Sequence, residues 1–567
     1  MTAERTPRTA RRGRTLATRF AAVCAALALV AGACSDGDSA IDAGRDDPAD
    51  AVEAPDPVAT EPDSDDTASE AEGQNPGDDV DDEVDGASGD AAEPTPTSPE
   101  PTDSAVPVVT AAEPDGVASP LADLAPCPVD ALDELDESDG ADGPVDITLW
   151  FGLPTDLQEV LQSLTDDFNA SQDRVAVTIE NQVDYESTID SYQQLGVDQR
   201  PEILLAPEFV VQSFAESRTF VPVGACLEAS GSDTSNFLPR ALAAYRYDDV
   251  QWALPFNVSS PVLFYVKPVF AAAGLDVDDP PITPDEVRAA AEAVVGSGAA
   301  THGLVVDVAR DSTGGFVEQW FGQAEVAFVD NGNGRSGRAT EVLFDDETGL
   351  AAFEFLQEMN RDGFSFNVGE NPGGLDAFLK LVDPTEPGAM RIDTSAAIGQ
   401  LLAGLDGGLG GDLTRDDLGV GPLPGPSATP AAQVSGASLW IPADKGDESV
   451  AAAWDFTQFL VDAQSQSTWA AGTGYVPMRT DAVELDPIAS LFESDPRFRV
   501  AYDQLAAPTD SPFSARPALG PQREVRQTIV DAISRLYADP EGADAAALLT
   551  DAADTSNRLI TNYNDLN

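Results

Sequence analysis

Residues 145–150 read Val-Asp-Ile-Thr-Leu-Trp, and their alternation of apolar and polar side chains is typical of a strand with one buried face. Residues 155–168 follow with apolar side chains at helical spacing, and residues 174–180 alternate again. A short apolar run at residues 203–205 has the length and composition of a buried strand. Strands that alternate with helices predict βαβ units, a mostly parallel sheet and therefore an α/β fold.

The same alternation continues toward the C-terminus. Thr283, Pro284 and Glu286 match a helix start, with the threonine as N-cap and the glutamate placed for a capping box. The further segments that periodicity predicts are strands at residues 262–266 and 304–308 and helices at residues 350–361, 450–461 and 551–566. No repeat at solenoid spacing occurs, which favours a globular body.

The composition excludes several classes of function. The 567 residues include 100 acidic and 30 basic side chains, and a net charge of −70 disfavours binding to nucleic acid or to an anionic membrane face. His302 is the only histidine, which excludes a multi-histidine metal site and argues against histidine-dependent catalysis. Nucleophile elbows and Walker loops are absent, and residues 330–334 predict a turn rather than a calcium loop. The sequence therefore predicts a binding protein without catalytic residues, cofactor or metal.

The N-terminal sequence predicts that the protein is located outside the cytoplasm. Residues 1–19 carry six arginines, and residues 20–33 form an apolar run that is too short to span a bilayer. Together they predict a signal peptide over residues 1–33. The small residues before Cys34 resemble the lipobox of bacterial lipoproteins, so Cys34 is predicted to carry the lipid anchor. The alternative is an ordinary secreted protein in which this cysteine occurs by chance.

A linker is predicted between the anchor and the folded body. Residues 35–126 contain 27 acidic side chains, one arginine and no aromatic ring, so they cannot bury enough apolar surface to fold. We expect a disordered acidic linker over residues 34–142. Cys127 and Cys226 remain after signal processing, and outside the cytoplasm two such cysteines favour a disulfide. Two free thiols are the alternative.

Three motifs carry a family resemblance, namely residues 254–265 (LPFNVSSPVLFY), 436–441 (GASLWI) and 469–477 (WAAGTGYVP). Together with Arg526 they resemble the family 1 extracellular solute-binding proteins of ABC importers, and within that family the glycerol-3-phosphate-binding branch. The likeness runs from about residue 144 to the C-terminus. It implies a two-lobe periplasmic-binding-protein fold of type II, with a hinge and a cleft between the lobes.

The resemblance implies how residues 143–567 divide into two lobes and which partners they bind. One lobe is expected at about residues 143–256 and 434–472, and the other at about residues 257–433 and 473–567. A ligand in the cleft contacts both lobes and favours the closed form. The implied partners are a small-molecule phosphate ester or sugar and a membrane permease with its ATPase. We expect a monomer on the outer side of the cell membrane, without nucleic acid.

Seven ligand-contacting positions of the branch carry over to this sequence. They are Tyr185, Glu208, Ser259, Thr394, Gly436, Tyr475 and Arg526, and Thr394 stands where the branch has a serine. Arginine pairs two phosphate oxygens through a planar fork, so Arg526 is assigned to the phosphate. Glu208 is assigned to the glycerol hydroxyls at the opposite end, because a carboxylate repels a phosphate. Taken singly, Arg526 could pair with Glu524 or Asp531 on a surface helix, and Glu208 could simply begin a helix.

One position departs from the branch. Pro284 stands where the branch has a tryptophan beside the glycerol, and the loss of that ring predicts room for a larger group on the phosphate. The predicted function is therefore capture of glycerol-3-phosphate or a glycerophosphodiester by hinge closure. The alternatives are a neutral sugar or oligosaccharide on the same fold, a surface phosphodiester hydrolase, and a sensory lipoprotein.

Overall fold

The computed structural model describes Leu121 and residues 124–136, 143–307, 311–369, 375–427, 431–509 and 511–567. The predicted signal peptide, the predicted lipidation site Cys34 and most of the predicted linker lie outside the described residues. Within those ranges, no helix is both long enough and apolar enough to cross a lipid bilayer.

Strands and helices alternate along the described residues. In chain order the strands are β1 (Val145–Phe151), β2 (Val175–Asn181), β3 (Ile203–Pro207), β4 (Phe220–Val221), β5 (Arg246–Tyr247), β6 (Val250–Gln251), β7 (Leu254–Ser259), β8 (Pro261–Val266), β9 (His302–Val306), β10 (Ser365–Asn367), β11 (Gly388–Thr394), β12 (Leu418–Gly421) and β13 (Ser435–Pro442). The α-helices of eight or more residues are Thr155–Ser171, Tyr185–Gln194, Val223–Ser230, Pro284–Ser297, Asp311–Ala324, Glu347–Arg361, Ile398–Asp406, Asp447–Leu460, Ala463–Thr473, Gln522–Ala538 and Ala545–Leu566. The shorter ones are Ala131–Asp136, Val211–Ser217, Pro239–Ala244, Lys267–Ala272, Asp330–Asn333, Leu375–Leu381, Ile488–Ser494 and Val500–Ala506.

The sequence pattern located most of these elements. The predicted capping box is confirmed: Thr283 Oγ1 accepts from the backbone N–H of Glu286 at 3.3 Å, and the Glu286 carboxylate accepts from the Thr283 N–H at 3.1 Å. The predicted turn at residues 330–334 is confirmed, because the four-residue segment Asp330–Asn333 is a single turn whose φ angles are positive at Asn331 and Gly332 and not those of a right-handed α-helix. The predicted start of the final helix at residue 551 is wrong, because the helix Ala545–Leu566 already buries apolar side chains in its first turn.

Two sheets form the centres of two lobes. The first has the order β2-β1-β3-β13-β4, with β7 also paired to β13, and the second has the order β10-β9-β11-β8-β12. The expectation of mostly parallel sheets is wrong, because β13 runs antiparallel to β3, β4 and β7, and β8 runs antiparallel to β11 and β12. Antiparallel pairing needs no helical crossover, and both β8 and β13 are entered by chain that arrives from the other sheet.

The chain crosses between the sheets at two places that matter for the site. Ser259 ends β7 in the first sheet, and Pro261 begins β8 in the second. The return crossing runs from β12 to β13. A short crossing such as that from Ser259 to Pro261 is where a hinge can absorb backbone rotation.

The end of the predicted linker is folded. Cys127 and Cys226 form a disulfide, which confirms the predicted pairing. Leu132, in the helix Ala131–Asp136, is 3 % exposed and packs into the core against the helix Asp447–Leu460. The expectation of a disordered linker up to residue 142 is therefore wrong for residues 127–136, because a disulfide and a buried leucine hold this segment on the first lobe.

Candidate functional site

The crossing from β7 to β8 gathers four of the seven predicted positions. Ser259 pairs with Ser435 and Val258 with Gly436 across β7 and β13. Thr394 pairs with Pro261 at the end of β11. The Val476 N–H donates to the Val258 carbonyl at 2.7 Å, which places the preceding residue, Tyr475, beside the same strand. Positions far apart in sequence thus meet where the two sheets meet.

Gly436 is required by the backbone. Its φ is +107°, and a Cβ at this position would lie 2.0 Å from the carbonyl oxygen of Asn257. A side chain at such a φ is strained, and here it would also clash with main chain that cannot move aside. The absent side chain lets β13 approach the Asn257 carbonyl of β7 closely.

Two tyrosines lie beside this backbone. Asn257 Nδ2 donates to Tyr185 Oη at 2.5 Å, while Asn257 Oδ1 accepts from the Ala437 N–H at 3.2 Å. The Tyr475 ring stacks on Trp469 with centroids 5.7 Å apart. Burial raises the pKa of both tyrosine hydroxyls above the usual value, so both keep their proton at neutral pH and can donate. Asn257 lies inside a motif that the sequence singled out, but its role as a positioning amide was missed.

Buried charges lie beyond the end of β3. Glu208 Oε1 accepts from Arg516 Nη1 at 2.7 Å and from Arg526 Nη2 at 3.1 Å. Arg526 also donates from Nε to Glu318 Oε1 at 2.8 Å and from Nη2 to Glu318 Oε2 at 2.9 Å. Gln522 Nε2 adds a further hydrogen bond of 2.8 Å to Glu318. Glu318 is 0 % and Arg526 2 % exposed, so these charges interact away from water.

The ionisation of Glu208 follows from its neighbours. Burial alone would raise the pKa of this carboxyl group, but the charges of Arg516 and Arg526 outweigh burial, and the pKa is lowered. Glu208 is therefore an anion at neutral pH. A buried anion without such partners would be strongly disfavoured.

The structure corrects two interpretations of these residues. Arg526 does not pair with Glu524 or Asp531 on a surface helix, because it is buried and bound to Glu318 and Glu208. Glu208 and Arg526 do not lie at opposite ends of a ligand site, because they are in direct contact. Glu208 does begin a short 3₁₀ helix, Glu208–Val210, as the alternative interpretation expected. It forms its ion pairs with Arg516 and Arg526 from that position.

Three polar residues of this region were not among the site residues predicted from the sequence. The Tyr245 hydroxyl, Arg335 Nη2 and Arg516 Nε are buried and have no hydrogen-bond partner within the described part of the chain. Arg516 lies in an apolar run, residues 515–519 (Ala-Arg-Pro-Ala-Leu), which is a visible signal in a chain with so few basic residues. Arg335 follows a run of glycines and asparagines, and Tyr245 ends a short helix; neither context distinguishes them.

The chemistry of this site is that of recognition. Among the described residues, no three His, Cys, Asp or Glu side chains are grouped so that they could hold a metal ion. Guanidinium groups and tyrosine hydroxyls are present instead. Such a set binds anions and hydroxyls through hydrogen bonds.

Comparison with known proteins agrees with this architecture. A model of the family described as bacterial extracellular solute-binding protein matches residues 163–499. The sn-glycerol-3-phosphate-binding periplasmic protein UgpB of Pectobacterium atrosepticum is 25 % identical over 435 residues, covering 74 % of this chain and 92 % of the relative. The Rhizobium meliloti UgpB is 27 % identical over 426 residues, covering 72 % and 93 %.

Solved structures share the fold. The cyclic alpha-maltosyl-1,6-maltose binding protein of Arthrobacter globiformis superimposes with a TM-score of 0.60 at 21 % identity, covering 74 % of this chain and 100 % of that chain. Mycobacterium tuberculosis UgpB in complex with glycerophosphocholine gives a TM-score of 0.58 at 22 % identity, covering 75 % and 100 %. At these identities the matches establish a common two-lobe binding-protein fold.

Proposed function

The chain belongs to the bacterial extracellular solute-binding protein family, whose members serve ABC importers, and from this premise we propose that it captures a glycerol phosphate ester. Relatives named for glycerol-3-phosphate binding align over nearly their whole length, which supports this substrate class. Delivery to a membrane permease follows from the family. Attachment through a lipid on Cys34, a flexible acidic linker and a monomeric state complete the proposal.

The observation that carries the proposal is the charge of the buried cluster. Arg335, Arg516 and Arg526 supply three guanidinium groups, whereas Glu208 and Glu318 supply two carboxylates. Three guanidinium groups are thus gathered beyond the end of β3 in a protein whose net charge is −70. Guanidinium groups in a buried site are stabilised by an anionic ligand.

The neighbouring neutral donors suit the glycerol part. Tyr185, Tyr475, Ser259 and Thr394 offer hydroxyls, and Gly436 lies beside them on β13. Both arginines that bind Glu208 donate to its Oε1 atom, so we propose that Oε2 accepts from a glycerol hydroxyl. The carboxylate then sits between the cations and the diol.

The size of the ligand is proposed from one substitution. Pro284 begins the helix Pro284–Ser297 at the position where the branch carries a tryptophan. A smaller ring leaves space for a substituent on the phosphate. We therefore include glycerophosphodiesters with glycerol-3-phosphate in the proposed substrate class.

The proposed mechanism is hinge closure around this ligand. We propose that one lobe comprises about residues 143–256 and 434–472, and that about residues 257–433 and 473–567 form the other. With these boundaries, the ion pairs from Glu208 to Arg516 and Arg526 join the two lobes. A ligand that contacts both lobes favours the closed form by its greater affinity for that form.

The proposal is tested by calorimetric titration of the purified protein with glycerol-3-phosphate, glycerophosphocholine and maltose. At least one phosphate ester should bind, and Arg526→Ala should weaken binding by about 30-fold or more, because it removes one partner of a buried charge pair. Arg535→Ala is the matched control on the same helix, since Arg535 and its partner Asp551 are 62 % and 67 % exposed. Its affinity should not change.

Folding is checked by circular dichroism, and Tyr475→Phe replaces Arg526→Ala if the latter does not fold. Binding of maltose with no detectable binding of either ester would contradict the proposed function in favour of a neutral sugar. Native mass spectrometry of the protein as purified gives an independent result, because a co-purified oligosaccharide would contradict the proposal in the same way.

A further inference from the structure

The turn at residues 330–334 has an unusual backbone. Its last four residues, 331–334 (Asn-Gly-Asn-Gly), have φ angles of 50°, 65°, 64° and 74°. These values are left-handed, and L-amino acids normally adopt that conformation at single residues only, because it is strained. Glycine and asparagine tolerate it best, which explains the composition of this left-handed turn. Strained backbone persists where the surrounding structure requires it, and it is concentrated at ligand-binding and switch regions.

The left-handed turn binds the chain segment at residues 515–518. The Ala518 N–H donates to the Asn333 carbonyl at 2.9 Å, and Asn333 Nδ2 donates to the Ala515 carbonyl at 3.2 Å. Gly334 lies so close to this segment that a Cβ there would be 2.0 Å from the Ala518 carbonyl oxygen. Both ends of the segment are therefore attached to the turn.

Arg516 lies between these two attachment points. Arg335, the residue after the turn, donates from Nε to the Arg516 carbonyl at 2.9 Å. The turn is itself fixed, because Asn333 is 1 % exposed and its Oδ1 accepts from the Phe328 N–H at 3.0 Å. From this backbone, Arg516 Nη1 donates to Glu208 Oε1 at 2.7 Å. The turn thus determines where the Arg516 side chain starts.

The turn also lies beside a contact with the hairpin β5–β6. The Asp248 N–H donates to the Arg335 carbonyl at 2.9 Å, and Arg335 Nη1 donates to the Arg246 carbonyl at 2.7 Å. With the proposed lobe boundaries, this hairpin belongs to the first lobe and the turn to the second. Arg335 therefore joins the lobes next to the place where Arg516 joins them through Glu208.

We propose that the left-handed turn at residues 331–334 positions Arg516 against Glu208, and that this contact favours the closed form. The inference rests on the proposed hinge closure and adds residues that act without touching the ligand. Asn333 and Gly334 are positioning residues that act through Arg516. A bond between the lobes that exists only in the closed form increases the population of that form, and with it the apparent affinity for the ligand.

Gly334→Ala tests the position of the segment. Real Cβ atoms essentially never lie within 3.0 Å of such an atom, so the Ala518 carbonyl would have to move by about 1 Å. We expect this shift to lengthen the 2.7 Å bond between Arg516 and Glu208 beyond hydrogen-bonding distance. Affinity should fall by about 10-fold, the lower end of the range for a hydrogen bond to a charged group, because Arg526 still donates to Glu208.

Gly298→Ala is the matched control on the same lobe. The φ of Gly298 is +75°, against +74° for Gly334, but a Cβ at Gly298 would have nothing within 4 Å. Both variants carry the same backbone strain, so both should unfold at lower urea concentration, and only Gly334→Ala should lose affinity. An equal loss of affinity in the two variants would overturn the inference, because the loss would then follow from strain alone.

A double-mutant cycle shows whether the turn acts through Arg516. Arg516→Met removes the guanidinium group and keeps an apolar side chain of similar length. In that background Gly334→Ala should change the affinity by less than about 2-fold, because the contact that it disturbs is already absent. A 10-fold loss in both backgrounds would overturn the inference.

Asn333→Gly replaces Gly334→Ala if the latter does not fold, since glycine accepts the φ of 64° and only the side-chain hydrogen bonds are lost. Affinity should fall by about 3-fold or more, and wild-type affinity would overturn the inference. The titrations use whichever of glycerol-3-phosphate, glycerophosphocholine and maltose binds the wild-type protein most tightly. Binding of maltose alone would contradict the proposed function, and the same variants titrated with maltose would still decide the inference.

Discussion

Replacing Glu318 with glutamine should have a large effect, because this carboxylate holds the buried cluster together. It is 0 % exposed, forms a bidentate pair with Arg526 and accepts from Gln522. Removing one partner of a buried ion pair leaves the other charge uncompensated, and such changes cost about 3–5 kcal/mol. We therefore expect Glu318→Gln to lower the free energy of unfolding by about that amount.

The assay is urea unfolding followed by tryptophan fluorescence, with Glu493→Gln as the control. Glu493 is exposed, and the same change in formal charge there should alter stability by less than about 0.5 kcal/mol. If Glu318→Gln cost less than about 1 kcal/mol, the surroundings of the cluster would not be of low polarity, and the reasoning would be refuted.

Three further changes have defined outcomes. Replacing Cys127 and Cys226 by serine opens a cross-link over 99 residues and should lower the free energy of unfolding by about 4–5 kcal/mol in urea, whereas a loss below about 1 kcal/mol would contradict it. Gly436→Ala places a Cβ 2.0 Å from the Asn257 carbonyl at a positive φ, so the free energy of unfolding should fall by about 1–3 kcal/mol or more, and titration should show weaker ligand binding. An unfolding free energy and an affinity equal to those of the wild type would show that the close approach of β13 to β7 does not require glycine. Because the chain carries a net charge of −70, stopped-flow association of an anionic ester should accelerate as salt rises from about 10 mM to about 150 mM, and a slower rate would argue against an anionic ligand.

Periodicity in the sequence predicted local structure well and strand direction poorly. The alternating residues 145–150 and 174–180 became β1 and β2, and the threonine N-cap at Thr283 begins its helix as expected. The antiparallel entries of β8 and β13 depend on which lobe the chain comes from, and hydrophobic spacing contains no information about that.

For the candidate site, too, the sequence predicted some features and missed others. Family motifs located Ser259, Gly436 and Tyr475, which the fold does bring to one crossing. They could not indicate that Arg526 and Glu208 touch, because that contact depends on how a C-terminal helix packs against the end of β3. The sequence around Tyr245 did not indicate that its hydroxyl is buried without a hydrogen-bond partner, because that depends on the residues that surround it in the fold.

The disulfide between Cys127 and Cys226 has a mechanical consequence. Cys127 is connected to the lobe built on the first sheet twice, through the disulfide to the helix Val223–Ser230 and through the backbone that leads to β1. Neither connection includes the strands β7 and β8, where the chain passes from the first sheet to the second. We therefore expect a pull on Cys127 to load the first lobe rather than the crossing between the sheets.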